Sequence, residues 1–255
     1  MKKSTRNKLK SFLKNFVISI GEISYSVEEL KRAFPFHVLF FPDEALISFK
    51  LQRRIVTKMG MKLYPGVAKI IAEDRYEEVR LNHPISGELD TAKATAIERI
   101  ITELRSGKRS PNMFEEMEEI SRASGGGARE IKIIADLFVG DFKPGPLFLE
   151  IKSPRPNLDV CAESKKKILF FRALYMDRNP QAFLAFPYNP FIRREDYEHG
   201  PTMRIMDMDN EVLIGEEMWD KIGGRGTYDE ILEVIEEVKE ELREMRRARR
   251  VQEHL

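Results

Sequence analysis

GPLFLEIKSPRPN, residues 145–157, decides how the rest of this chain is read. Leu147, Phe148, Leu149 and Ile151 make an apolar strand, and Glu150 and Lys152 interrupt it. A buried charge is costly unless it is paired or holds a metal. A strand with two such residues is either an edge with a solvated face or a site. Alternate strand residues share a face, so Glu150 and Lys152 point one way while Leu149 and Ile151 point the other.

Upstream, REIKIIADLFVG reads as a second strand, and DFKPG is a turn between the two. A hairpin centred on Lys143 sets Asp136 opposite Glu150 and Phe138 opposite Phe148. Directly opposed residues have Cβ atoms about 5 Å apart, and a slip of one residue would undo the arrangement. Downstream, NLDVCAESKKKILFFRALYMDR is a helix. QAFLAFPYNP follows as a strand apolar on both faces, the pattern of a central strand covered on both sides. The helix then crosses between two parallel strands in the right-handed sense.

Further outward the pattern is helical. Leu9, Phe12, Leu13, Phe16, Val17 and Ile20 recur at helical spacing, and residues 41–75 read as two more helices. DTAKATAIERIITELRSG has Asp90 to cap it, Gly107 to end it and an apolar stripe through Ile97, Ile100 and Leu104. PNMFEEMEEISRAS adds another helix. The chain closes on GTYDEILEVIEEVKEELREMRRARR, where Thr227 and Glu230 match a capping box and Ile231, Ile235, Val238, Leu242 and Met245 form a stripe. The expectation is a single α/β domain over 1–255. It has a helical N-terminal region at 1–120, a core with a mixed central sheet at 121–225, and a long C-terminal helix at 226–255.

Composition narrows the class. Forty-three Lys and Arg nearly cancel forty-two Asp and Glu, so any nucleic-acid contact must come from local basic patches. Charged residues make up 33%, with Glu, Lys and Arg favoured over Asn and Gln, the balance reported for heat-adapted proteins. The single cysteine, Cys161, leaves no internal disulfide and no cysteine-based zinc cluster. The four histidines form no HxH or HExxH pattern. No apolar run reaches the ~18 residues of a membrane span, and a cytoplasmic location with no membrane partner is expected.

Asp136, Glu150 and the Ile151 carbonyl form an oxygen donor set for Mg²⁺, with Mn²⁺ as a substitute, and Lys152 stands beside them. Such an ion neutralises phosphoryl oxygens and acidifies a bound water, and a lysine orients or deprotonates that water or stabilises developing charge. The spacing D-x13-E-x-K resembles the PD-(D/E)xK nuclease motif, with Ala135 where the pattern has proline. PLFLEIKSPRPNLDVCAESKKKIL, NPQAFLAFPYNPF and LIGEEMWDKIGGRGTYDEIL resemble the TdeIII family of type II restriction endonucleases over roughly residues 90–240. The resemblance implies a restriction-endonuclease-like mixed central sheet flanked by helices. It also implies Mg²⁺-dependent cutting of double-stranded DNA and a partner DNA methyltransferase. A homodimer matches a palindromic site with two copies of the catalytic centre. The apolar stripes at 9–20 and 231–245 are candidate interfaces, with packing inside the monomer as their competing use. A repair nuclease or junction resolvase of the same fold is the alternative, as is a non-catalytic DNA-binding protein with a vestigial site.

Other residues are candidates for the same chemistry. Nucleases of this type often add a helix-borne glutamate, and Glu98 is the first choice, with a surface glutamate near Arg105 as its competing reading. Glu163 is the second, with Lys167 four residues on as its competing partner. Arg155, in the loop SPRPN, suits a guanine or a phosphate. Lys165, Lys166 and Lys167 are read as phosphate contacts or solvated charges, and the arginines of RRARR near the C-terminus as a solvated helix end.

Overall fold

The computed structural model describes residues 1–21 and 25–253, with the side chains of residues 246 and 249–253 also left aside. Eleven α-helices and five strands follow in chain order among the described residues. The N-terminal helices are α1 (Lys3–Ile20), α2 (Val27–Ala33), α3 (Asp43–Lys58) and α4 (Tyr64–Ala72). A wide π turn, Met59–Leu63, joins α3 to α4. Then come β1 (Val79–Asp90), α5 (Thr91–Ser106), α6 (Met113–Arg122), β2 (Ala128–Val139) and β3 (Leu147–Ile151). The remaining elements are α7 (Leu158–Leu174), β4 (Gln181–Phe186), α8 (Gly200–Ile205), α9 (Met208–Glu211), β5 (Val212–Ile214), α10 (Glu216–Gly223) and α11 (Thr227–Glu253).

The five strands form one mixed sheet in the order β1-β2-β3-β4-β5. β2 runs antiparallel to both its neighbours, β1 and β3; β3, β4 and β5 run parallel. Phe138 lies opposite Phe148, the register expected from a turn centred on Lys143. β4 is an inner strand between β3 and β5, covered on both faces as its apolar run implied, and α7 makes the crossover into it. Gly145, in the β2–β3 turn, has no room for a side chain: a Cβ there would collide with the Arg178 and Asn179 carbonyls.

Two cores cover the sheet. On one face Ile97, Ile100 and Leu104 of α5, Ile120 of α6 and Phe171 of α7 pack on Phe148 and Leu184. On the other, Leu9 of α1, Ile71 of α4, Trp219 of α10 and Val234 of α11 pack on Leu147, Leu149 and Phe183. Full burial of one such aliphatic or aromatic side chain contributes about 1.5–3 kcal/mol. α5 starts and stops where the sequence signals it. Asp90 accepts from the Ala92 amide at 2.7 Å, and Gly107 closes the helix in the left-handed conformation at φ 71°.

The helical reading of residues 1–120 needs one correction: the twelve residues of β1 lie within it and belong to the central sheet. Pro84 and Gly87 disguise the strand, but β1 is an edge, where a missing N–H donor is tolerated. β5 is only three residues long, too short for its own periodicity to show. At the start of α11, Asp220 of α10 accepts from the Gly226 and Tyr228 amides, and the Thr227 hydroxyl donates back to Gly224. The expected Thr227–Glu230 box is therefore replaced by a cap from the preceding helix.

The two helices named as dimer elements meet each other inside the chain. Arg6 pairs with Glu233 and Glu237, Lys10 with Glu237 and Glu241, and Lys14 with Glu241. Leu9, Leu13 and Phe16 are buried, as are Ile231, Val234 and Val238. Ile235 stays 41% exposed, so the buried stripe of α11 is narrower than its sequence pattern. The side chains of Arg246, Arg249 and Arg250 in the basic C-terminal run lie outside the described residues.

β1 and β2 pair along nearly their whole length, from Val79↔Val139 to Asp90↔Ala128. Odd positions of a regular strand share one face. Here the buried face changes once on each strand. Val79 packs in the α4 core and Ile85 and Leu89 in the α5 core; Ile133 and Ala135 pack in the α5 core and Leu137 and Val139 in the α4 core. The changeover falls at Asn82 and Asp136. The ladder skips that pair, with Leu81↔Leu137 and His83↔Ala135 on either side.

Candidate active site

The twist in the β1–β2 ribbon carries Asp136 out of the regular ladder and aims its carboxylate at the neighbouring strand. Asp136 Oδ2 accepts from the Ile151 amide at 2.8 Å, a place a main-chain carbonyl would otherwise take. The same oxygen is 2.8 Å from Lys152 Nζ. Lys152 Nζ is also 2.8 Å from Glu150 Oε1. The ammonium thus bridges two carboxylates contributed by adjacent strands. Burial works against the charged lysine, but the charges and hydrogen bonds of Glu150 and Asp136 outweigh it and hold the Lys152 pKa above its ordinary value.

Glu150 is only 2% exposed. Its Oε1 also accepts from Lys167 of α7 at 2.9 Å, while its Oε2 is buried with no hydrogen-bond partner. A buried carboxylate oxygen without a partner is an unmet demand for a donor or a cation. Among the described residues no three His, Cys, Asp or Glu side chains stand together as a ready metal cluster. The donors present are two carboxylates and the Ile151 carbonyl. Such an all-oxygen set fits an ion that takes one or two carboxylates and keeps several waters.

The site opens into a cleft of about 990 Å³. Asp136, Ile151, Lys152 and Asn82 line it, together with the π turn at Met59–Leu63 and Tyr188. π turns inside helices are frequent at functional sites.

The three consecutive lysines on α7 separate because each helical residue turns the side chain by about 100°. Lys167 reaches Glu150 at 2.9 Å, and Lys166 lies 4.0 Å from Glu98 on the surface. Lys165 is fully buried between Glu116, at 2.5 Å, and Glu211. It is therefore a structural ion, and the expectation that it touches DNA is corrected: no surface is left to it. α7 is packed on nearly every side, so its lysines could not be sorted from an amphipathic pattern.

Glu98 is paired with Arg129 at 2.9 Å, on the exposed side of α5, and is not joined to the Asp136–Lys152–Glu150 chain. Glu163 is exposed in a shallow depression beside Lys166 and Lys167. Its expected partner Lys167 is taken by Glu150, because the strand carboxylate is buried and the helix surface is solvated. Arg155 is exposed at the end of β3, its guanidinium 4.8 Å from the centre of the Phe191 ring. Asn82 is the residue of this site with no signal in the sequence, and Lys167, expected at a phosphate, in solvent or on Glu163, is found on Glu150.

The chain matches the family model described as type II restriction endonuclease, HinfI, over residues 1–239. It is similar to the type II restriction enzymes HgiEI and HgiBI of Herpetosiphon aurantiacus, each 30% identical over 253 residues, 90% of this chain and 91% of theirs. MjaII of Methanocaldococcus jannaschii, also a type II restriction enzyme, is 27% identical over 242 residues, 82% of this chain and 64% of that one. No solved structure matches. The family matched is HinfI, where three sequence stretches resembled TdeIII; the common statement is a type II restriction endonuclease.

Proposed function

The chain belongs to the HinfI family of type II restriction endonucleases, and from that premise we propose that Asp136, Glu150 and Lys152 form its PD-(D/E)xK nuclease site, which cuts both strands of duplex DNA at a short palindrome with Mg²⁺. A closer kinship with TdeIII enzymes rests on the three stretches quoted above and is part of the same proposal. The observation that carries the reading is the lysine ammonium bridging two strand carboxylates, one of them buried with an oxygen unpartnered, at the wall of a large cleft.

Asp136, Glu150 and the Ile151 carbonyl would hold the ion, and Mn²⁺ accepts the same hard donors. When bound, the ion neutralises the phosphate and acidifies a water. Lys152 enters as a cation, and its role is to stabilise the charge that grows on the phosphate as the water oxygen bonds to phosphorus and one phosphorus–oxygen ester bond breaks. Glu150 is oriented by Lys167, and Asp136 by the Ile151 amide.

Charge around the cleft favours one approach for DNA. Between residues 45 and 72 the chain carries Lys50, Arg53, Arg54, Lys58, Lys62 and Lys69 and no acidic residue. The π turn in that segment walls the cleft. α11 presents Glu233, Glu236, Glu237, Glu240 and Glu241 beside α1. A duplex is drawn to the first surface, whereas on the second each glutamate is already paired with Arg6, Lys10, Lys14, Lys239 or Arg243 and no free basic patch is left among the described residues. Arg155 and Lys166 are exposed or half-exposed and available to DNA; Lys165 is not.

A homodimer supplies one centre per strand. Phe36, Leu39 and Phe40, each at least 75% exposed, offer apolar surface for the second copy. A partner methyltransferase that protects the host site, and a cytoplasmic location beside the DNA, complete the reading. Among the described residues no helix is long and apolar enough to cross a membrane.

The test is digestion of a plasmid of known sequence with purified protein and Mg²⁺. Discrete fragments whose ends map to one short palindrome are expected. A folded Asp136→Ala protein should give none, and cleavage by that variant would overturn the site assignment.

A further inference from the structure

We propose that Asn82 is a further residue of the catalytic site, its carboxamide contacting the scissile phosphate beside Asp136; this rests on the nuclease reading of Asp136, Glu150 and Lys152.

Three observations meet at this residue. Asn82 has φ 47°, a left-handed conformation at the fourth residue of a twelve-residue strand. Non-glycine residues seldom adopt it, and such conformations concentrate at active sites and ligand clamps. Asn82 also falls at the register position of Asp136, in the one gap between Leu81↔Leu137 and His83↔Ala135. The ribbon is twisted at the pair that holds the carboxylate. Finally, Asn82 is exposed into the cleft with Asp136, Ile151 and Lys152, and its carboxamide has no hydrogen-bond partner among the described residues.

Asparagine tolerates the left-handed region, so the twist alone could select it. Glycine would serve the twist better. What asparagine adds is two N–H donors and a carbonyl acceptor in a neutral group. A neutral amide does not compete with Asp136 and Glu150 for a cation. Its N–H groups suit a non-bridging phosphate oxygen in the cleft that it lines with Asp136 and Lys152. With its backbone set by the twist and its side chain unpartnered, the amide is free to meet that oxygen as negative charge grows on it. Removing one donor of this kind from a charge-stabilising site lowers the rate by about 10²–10³-fold.

Asn82→Gly is the decisive variant, because it keeps the twist and removes the amide. The expected result is an unchanged melting temperature, unchanged DNA affinity without divalent ion, and a single-turnover cleavage rate lowered by about 10²-fold or more. Asn82→Asp keeps the shape but replaces donors with a charge, and it should not recover the rate. Wild-type cleavage by Asn82→Gly would reduce Asn82 to a backbone device and overturn the inference. If Asn82→Gly fails to fold, Asn82→Asp carries the test: a folded protein with lost rate supports the inference, and a wild-type rate overturns it. Asp136→Ala run in parallel separates the two levels. Its inactivity beside a normal Asn82→Gly sinks only the role of Asn82, whereas its activity sinks the nuclease site itself.

Discussion

Lys165→Met separates a structural lysine from a DNA-binding one. Methionine keeps nearly the length and volume of lysine and removes the charge. Lys165 is 0% exposed, and its ammonium lies between Glu116 and Glu211, which are 1% and 0% exposed. Removing one partner of a buried ion group leaves uncompensated charge and costs about 3–5 kcal/mol. For a chain of this size each kcal/mol moves the melting temperature by about 2–4 °C, so a drop of roughly 6–20 °C is expected. The deficit should depend on pH. Burial pushes the Glu116 carboxyl up to about 7, with Lys165 pulling it down and Glu211 pushing it further up. Without Lys165 the downward pull is gone, and the carboxyl stays protonated to higher pH. A carboxyl whose pKa is raised on folding takes up protons as the chain folds. Its contribution is fully present below the unfolded value and is lost as pH rises through the folded one. The deficit of Lys165→Met is therefore largest near pH 8 and shrinks towards pH 5. Thermal unfolding followed by circular dichroism across that range measures it. A wild-type melting temperature at pH 8, combined with weaker DNA binding and a smaller salt slope, would put Lys165 on the DNA surface instead.

Four further outcomes are expected. Lys152→Ala should lower single-turnover cleavage by about 10²–10³-fold while gel-shift affinity for the site persists; full activity would remove Lys152 from the chemistry. If Arg155 pairs with a guanine, Arg155→Ala should cost about 1–3 kcal/mol and relax preference at one base position, whereas a uniform loss across sequences means a phosphate contact. The double variant Arg53→Ala/Arg54→Ala should weaken binding to all duplexes and flatten the log–log salt dependence by roughly 2, since each phosphate contact contributes about 0.9; an unchanged slope would exclude the α3 approach. Light scattering of the Asp136→Ala protein on cognate DNA should give a dimer, and a monomer both free and bound would refute the two-centre assembly.

The residues of the candidate site were legible because their signals are local. Glu150 and Lys152 stand two apart on an apolar strand, and the turn at Lys143 fixes the register that brings Asp136 beside them. α5 could be drawn from end to end because its cap, its stop and its stripe lie within one stretch. The other decisions were made across the sheet and between helices. β1 hides behind Pro84 and Gly87, which only an edge position permits. Lys165, Lys166 and Lys167 are chemically alike in the sequence. Which of them is buried, which meets Glu98 and which holds Glu150 depends on the elements packed around α7, and a helix enclosed on most sides leaves no polar face from which to read that. Asn82 shows the limit most sharply. Its identity says only that a turn-prone residue sits in a strand. The left-handed twist that aims Asp136 at β3 exists because β1 must change its buried face at the same point as β2, and that requirement arises only when the two strands are paired.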